Sequence, residues 1–207
     1  MQRLTAVQGP SQRARRAALA IACALGIGIF LVADSYWPDG HVVHETIEWV
    51  GIALITLCVL GRTWCILYIG NTKNFEVVED GPYSVVRHPL YVFSIIGAIG
   101  VGAQAGGFTA ALVAGFVTWG VLLVMSQVEE DNMVHLFGAR YFAYMMRVPA
   151  LMPNFSLYHS RPTLAVVPRR IAVTFLDATI FFVSVPIMEL FDKLHDTGVL
   201  PTLFSLP

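Results

Sequence analysis

Two stretches of this chain carry the residue types that could do chemistry. Residues 81–91 read GPYSVVRHPLY, and residues 128–153 read VEEDNMVHLFGARYFAYMMRVPALMP. In the first, Pro89 suits the opening turn of a helix, where its missing N–H would be unpaired anyway. Arg87 and His88 then stand beside the positive end of that helix, a place for an anion such as a ligand's carboxylate. Tyr91 adds an aromatic face with a hydroxyl. In the second stretch, Glu129 and Glu130 are adjacent and must point in different directions, so one can hold a ligand while the other pairs with Arg or caps structure. Glu130, Met133, Phe137, Tyr141 and Tyr144 follow at intervals of 3, 4, 4 and 3 residues, which is one stripe if a helix runs unbroken through Gly138. Read singly, the first half is equally a helix start anchored at lipid headgroups, and the second an interfacial carboxylate pair with packed aromatics.

The elements that must position these residues are membrane helices. The composition is 56% hydrophobic and 13% charged with a mean hydropathy of +0.66, values that a water-soluble domain of 207 residues does not show. Five apolar runs approach the roughly 20 residues that cross a bilayer: about 17–33, 46–69, 90–103, 108–128 and 171–190, the third short and the fifth interrupted by Pro186. Gly106 and Gly107 turn the chain between the third and fourth. The first run follows Arg13, Arg15 and Arg16 but is read as an uncleaved span, with residues 34–38 as its interfacial cap.

Eleven of the 13 Lys and Arg fall on one side of these runs: Arg3, Arg13, Arg15, Arg16, Lys73, Arg87, Arg140, Arg147, Arg161, Arg169 and Arg170. Arg62 lies near the inner end of the second run and can snorkel to the same side. The positive-inside rule therefore expects a cytoplasmic N-terminus and places both polar stretches at the cytoplasmic face. Cys23, Cys58 and Cys65 lie in apolar runs without metal-ligand spacing and are read as packing residues, so no metal is expected. His41, His44, His135, His159 and His195 are read as solvated or interfacial.

Taken together, an anion-binding helix start, carboxylates and aromatic rings at one membrane depth suit a zwitterionic or cationic ligand. Carboxylates can hold a ribose diol or an amino group, and aromatic faces attract a sulfonium through its charge. S-adenosylmethionine has all those parts. GPYSVVRHPLY, the pattern EE-x-x-M-x-x-x-FG-x-x-Y-x-x-Y from Glu129 to Tyr144, the segment RVPALMP and the upstream GRTWCILYIG resemble the isoprenylcysteine carboxyl methyltransferases and their phospholipid methyltransferase relatives.

That resemblance implies an all-α, polytopic integral membrane enzyme of about five spans that uses S-adenosylmethionine, releases S-adenosylhomocysteine and methylates a lipophilic acceptor. The acceptor would be a prenylcysteine-like carboxylate or a lipid headgroup, with membrane lipids around it and no nucleic acid partner. It implies one membrane domain: residues 1–50 as N-terminal span and loop, 51–153 as the methyltransferase-like core, and 154–207 as linker and C-terminal span. It places His88, Pro89, Tyr91, Glu129, Glu130, Phe137, Tyr141 and Tyr144 at the cofactor, and Arg147 and Pro149 in the segment that follows. By their own chemistry, Glu130 and Arg87 are the catalytic candidates.

Two positions depart from that family's pattern. Phe93 stands where many members have a small residue, and Met125, Ser126 and Gln127 stand where many carry an Arg that could assist the acceptor. Two other functions are compatible with the chain: an NADPH-dependent membrane reductase of sterol-reductase-like architecture, and a non-catalytic membrane scaffold. Acceptor identity and oligomeric state are left open by the residues.

Overall fold

The computed structural model of the protein describes residues 33–35, 37, 41–69, 76–197, 199 and 204–206. The expected first span, 17–33, lies outside these residues apart from Ala33. A short strand β1 (Ala33–Ser35) leads to helix α1 (Val42–Ile69), the one-turn helix α2 (Pro82–Val85), α3 (Pro89–Ala103), α4 (Phe108–Phe137) and α5 (Ala139–Arg147). A 3-10 turn at Phe155–Leu157 precedes α6 (Pro168–Thr179), a second 3-10 stretch at Ile180–Val183, α7 (Ser184–Asp196) and β2 (Phe204–Leu206). β1 and β2 pair in parallel with Ala33 opposite Phe204 and Ser35 opposite Leu206. All else regular among the described residues is helical, as the sequence led us to expect.

Among the described residues, three stretches are long and apolar enough to cross a membrane: Val42–Ile69, Phe108–Phe137 and Pro168–His195, with α3 shorter at 15 residues. In the last of these the helix gives way at Ile180–Val183, just upstream of Pro186 rather than at it. A proline inside a helix clashes with the carbonyl four residues earlier and cannot donate to it, so the disturbance falls on Phe182 and its neighbours.

α1, α3 and α4 form the body of the protein. Without a hydrophobic driving force between helices in lipid, close packing of small residues must hold them. Gly51 and Gly100 face each other across the α1–α3 contact: a Cβ on Gly100 would lie 2.7 Å from the Gly51 carbonyl oxygen, and one on Gly51 would lie 2.8 Å from the Gly100 oxygen. Lower on the same seam, Gly97 lies against Cys58, and Gly61 accommodates the ring of Phe93. The bulky residue at 93 is therefore absorbed by the absence of a side chain at 61. Gly102 meets the backbone of Ala110 and Ala111, which brings α4 to α3 just after the 104–107 turn.

These contacts put the C-terminal end of α1, the N-terminal end of α3 and the C-terminal end of α4 at one end of the bundle. Both polar stretches of the sequence lie there. At the other end, buried His44 sits against Gly106 with its Nδ1 3.2 Å from the Trp37 carbonyl and its Nε2 3.4 Å from Glu48. His44 is thus a buried packing and pairing residue near one end of the bundle, where the sequence led us to expect a solvated or interfacial side chain.

Backbone atoms cannot yield as side chains do, so overpacking Gly100 is expected to cost about 1–3 kcal/mol. Gly100→Ala should lower the thermal unfolding midpoint of the detergent-solubilised protein. Gly120→Ala, at a helical position where an added Cβ meets nothing within 4 Å, should leave it unchanged or raise it.

Candidate active site

The turn that builds the site begins at Gly81, whose φ of 60° and ψ of −128° belong to glycine, and whose missing side chain admits the ring of Tyr68. Pro82 then starts α2, which ends after one turn at Val86 in extended backbone. The residue before a proline avoids helical angles, so His88 (φ −119°, ψ 62°) stays outside α3 as its N-cap while Pro89 opens it. The His88 ring makes no capping bond and is free to reach α4.

It reaches the carboxylate pair. His88 Nε2 lies 2.9 Å from Glu130 Oε1, and Arg87 Nε lies 3.3 Å from the same oxygen. Glu129 approaches the other nitrogen of the imidazole, 3.7 Å from Nδ1. His88 and Glu130 are both buried, whereas Glu129 is half open, so the two carboxylates diverge as their adjacency requires yet bracket one ring. Tyr91 stacks on His88 with centroids 5.2 Å apart and planes 12° from parallel. Arg87 and His88, which stand beside the positive end of α3, are both turned to Glu130. Arg87 meets it in charge but not in hydrogen-bond direction, so its buried Nε–H has no acceptor among the described residues.

The aromatic stripe forms by a different route from the one its spacing led us to expect. The helix does not run through residue 138: Gly138 has φ 56° and ψ −131°, α4 ends at Phe137 and α5 starts afresh at Ala139. The bend still folds Tyr141 and Tyr144 inward, 5.7 Å apart, into a cluster with Val77 and Val148 against which Met133 and Phe137 pack. Tyr144 donates its hydroxyl to the Tyr83 carbonyl at 2.7 Å, which joins α5 to α2.

RVPALMP has a structural task. Arg87 N–H donates to the Pro149 carbonyl at 2.8 Å and His88 N–H to the Ala150 carbonyl at 3.2 Å, while Asn154 N–H donates to Val85 at 3.0 Å. Arg147 pairs with Glu79. In the stretch after it, residues 158–161 lie against α2. Gly81 N–H donates to the His159 carbonyl at 2.7 Å, His159 N–H donates to Ser84 Oγ at 3.1 Å, and Arg161 pairs with Asp80.

One residue of the site had no signal that singled it out. Tyr83 is buried, its hydroxyl has no partner among the described residues, and its charged and polar neighbours are Cys65, Tyr144 and Glu129. Its place in GPY, directly after the glycine turn, was the available clue. Met125, Ser126 and Gln127 supply no cation to the α4 wall, and Ser126 returns its hydroxyl to the Leu123 carbonyl at 2.8 Å.

Residues 46–140 match the phospholipid methyltransferase family. The cobalt-zinc-cadmium resistance protein CzcN of Cupriavidus metallidurans is 33% identical over 178 residues, which cover 85% of this chain and 81% of that one. The chain belongs to the phospholipid and isoprenylcysteine methyltransferase family. The nickel-cobalt-cadmium resistance protein NccN of Alcaligenes xylosoxydans is 29% identical over 177 residues, 86% of this chain and 82% of that protein. Protein-S-isoprenylcysteine O-methyltransferase of Schizosaccharomyces pombe is 36% identical over 83 residues, 40% of this chain and 35% of its own length. No solved structure matches. Membership of this membrane methyltransferase family covers α1, α3 and α4, the helices whose common end carries His88 and Glu130.

The phenols of the site hold their protons. Burial first, and then the negative charge of Glu130, push Tyr141 from 10.0 up to about 12, and burial pushes Tyr83 and Tyr144 up as well. The unfolded chain ionises near the ordinary value, so the stability tied to Tyr141 is complete below pH 10.0 and is lost as pH rises towards about 12. Thermal unfolding measured across that window should fall more steeply for the parent protein than for Tyr141→Phe.

Proposed function

We propose that this family member transfers the methyl group of S-adenosylmethionine to a lipophilic, membrane-borne acceptor at the end of the bundle that carries His88 and Glu130. The observation that carries the reading is a buried polar nest with groups to spare. Glu130 is fixed by His88 and Arg87, the Arg87 Nε–H is buried without an acceptor, and the Tyr83 hydroxyl, on the side of Glu129, is buried without a partner among the described residues. Buried polar groups left unpaired cost about 1–3 kcal/mol each, so a polar ligand is the natural complement of such a nest.

The residues fit the cofactor's parts. Arg87 and the start of α3 suit its carboxylate, Glu129 and Glu130 suit its amino group or ribose diol, and the His88–Tyr91 stack and Tyr141 offer aromatic faces to a sulfonium. Tyr144 and Phe137 close the wall behind them. When bound, S-adenosylmethionine supplies an already activated methyl group, so positioning by these residues is the main demand on the protein. A carboxylate acceptor needs no base. An ammonium acceptor must first lose a proton, and Glu130 or His88 is the group placed to take it.

The distribution of Lys and Arg supports a cytoplasmic position for this end of the bundle, where the charged cofactor is available. The names of the two long-matching relatives supply a setting, resistance to cobalt and cadmium with zinc or nickel. Methylation of an acceptor in the membrane is the chemistry this chain would bring to that setting. The match to methyltransferases leaves the NADPH-dependent reductase without an observation in its favour.

Glu130→Gln keeps the shape of the site and removes its charge. Detergent-purified variant should bind S-adenosylhomocysteine at least ~10-fold more weakly than the parent, about 1.4 kcal/mol, and transfer less label from S-adenosylmethionine to fractionated membrane lipids. Equal binding by parent and variant would remove Glu130 from the cofactor site.

A further inference from the structure

Arg62 is the sole Lys or Arg within the three helices α1, α3 and α4. A cation inside a membrane helix is costly and is kept where it serves a function. Its guanidinium donates from Nη1 to Ser94 Oγ at 2.6 Å and from Nη2 to Asp177 Oδ2 at 3.3 Å, while its buried Nε–H has no acceptor among the described residues. Ser94 gives its own hydroxyl proton to the Leu90 carbonyl at 2.7 Å, so its oxygen is committed to receiving from Arg62.

The partner on the far side is held less firmly. The Asp177 side chain is 68% exposed and belongs to α6, the first part of the C-terminal stretch. That helix lies over the α1–α3 seam, where Phe181 just beyond it reaches Gly97. The 3.3 Å bond to this exposed carboxylate marks the open side of the guanidinium, the side an entering anion can reach.

The position relative to the proposed cofactor site is the decisive point. Arg62 is three residues before Cys65, which neighbours Tyr83, and Ser94 is three residues beyond Tyr91. On α3, Ser94 lies six residues past His88, about 9 Å deeper along the helix. Arg62 thus sits on the bilayer side of the site, and the α4 wall offers no cation in its place.

We propose that Arg62 anchors the acceptor: a lipid-soluble carboxylate or phosphate takes the place of Asp177 on its guanidinium, using the spare Nε–H for a second hydrogen bond. The proposal rests on the methyltransferase reading and names the acceptor as an anionic lipophile. Where the anchored group is itself the carboxylate to be methylated, its oxygen bonds to the methyl carbon as the carbon–sulfur bond breaks and the electron pair stays on sulfur. Carboxylate and sulfonium charges cancel and no proton moves. The neutral ester has no claim on Arg62, Asp177 pairs with it again, and the product is released. An anchored phosphate keeps its charge and positions a neighbouring nucleophile instead.

The test measures binding to the full-length protein in detergent saturated with S-adenosylhomocysteine. The probes are S-farnesylthioacetic acid against its methyl ester, and dioleoylphosphatidic acid against dioleoylglycerol. The parent should bind at least one anionic probe roughly tenfold more tightly than its neutral counterpart, the weight of one charge-assisted hydrogen bond, and the pair that shows this names the source of the anion. Asp177→Asn should strengthen that binding, Arg62→Lys should keep part of it, and Arg62→Met should abolish the preference while binding S-adenosylhomocysteine as the parent does. No preference in the parent, or an undiminished one in Arg62→Met, overturns the proposal. Should Arg62→Met fail to fold, unchanged anion affinity in Asp177→Asn overturns it instead. A parent protein that does not bind S-adenosylhomocysteine at all is a failure of the methyltransferase reading, distinct from these results.

Discussion

The carboxylate of Glu130, buried between His88 and Arg87, is the interaction on which the rest of the arrangement depends. A buried charge without a partner is strongly destabilising, so α4 must present Glu130 where the start of α3 can meet it. That requirement fixes the register of α4 against α3 and explains why the loop from Gly81 to Pro89 is bound from so many sides. The carbonyls of Pro149, Ala150 and His159 and the hydroxyl of Tyr144 all serve to hold that loop still. Backbone bonds from later segments therefore preorganise a short stretch that has little regular structure of its own.

Membrane helices that pack through glycine give the site a rigid floor. Gly51 against Gly100 and Gly102 against Ala110 bring backbones to van der Waals contact, and the exchange of bulk between Gly61 and Phe93 keeps the α1–α3 seam closed near the site. The same seam carries Arg62, Ser94 and, from α6, Asp177. Among the described residues, one polar cluster lies at the site end of the bundle and a second, Arg62 with Ser94 and Asp177, lies on its bilayer side. That separation suits an enzyme whose two reactants arrive from different phases.

Much of this was legible in the residues. HPLY fixed the start of α3 because proline has one good place in a helix, and adjacent glutamates at the end of an apolar run had to diverge. The unbroken stripe to Tyr144 was not to be had, since nothing in a 3.6-residue period reports that Gly138 will take a backbone angle closed to other residues, and the tyrosines converged through the bend instead. Tyr83 was hidden because burial without a partner is a property of the fold, not of the residue. The RVPALMP contacts were hidden because backbone carbonyls carry no sequence signature. Arg62 could be placed in a span from hydropathy alone, but its bond to a residue 115 positions away could not.

The central claim is that the nest around Glu130 is a cofactor site, and direct calorimetric titration of the purified parent protein tests it most simply. The account predicts saturable binding of S-adenosylhomocysteine at one site per chain, with no heat of binding for NADPH. A folded protein that takes up NADPH, or that shows no heat with S-adenosylhomocysteine, would contradict it.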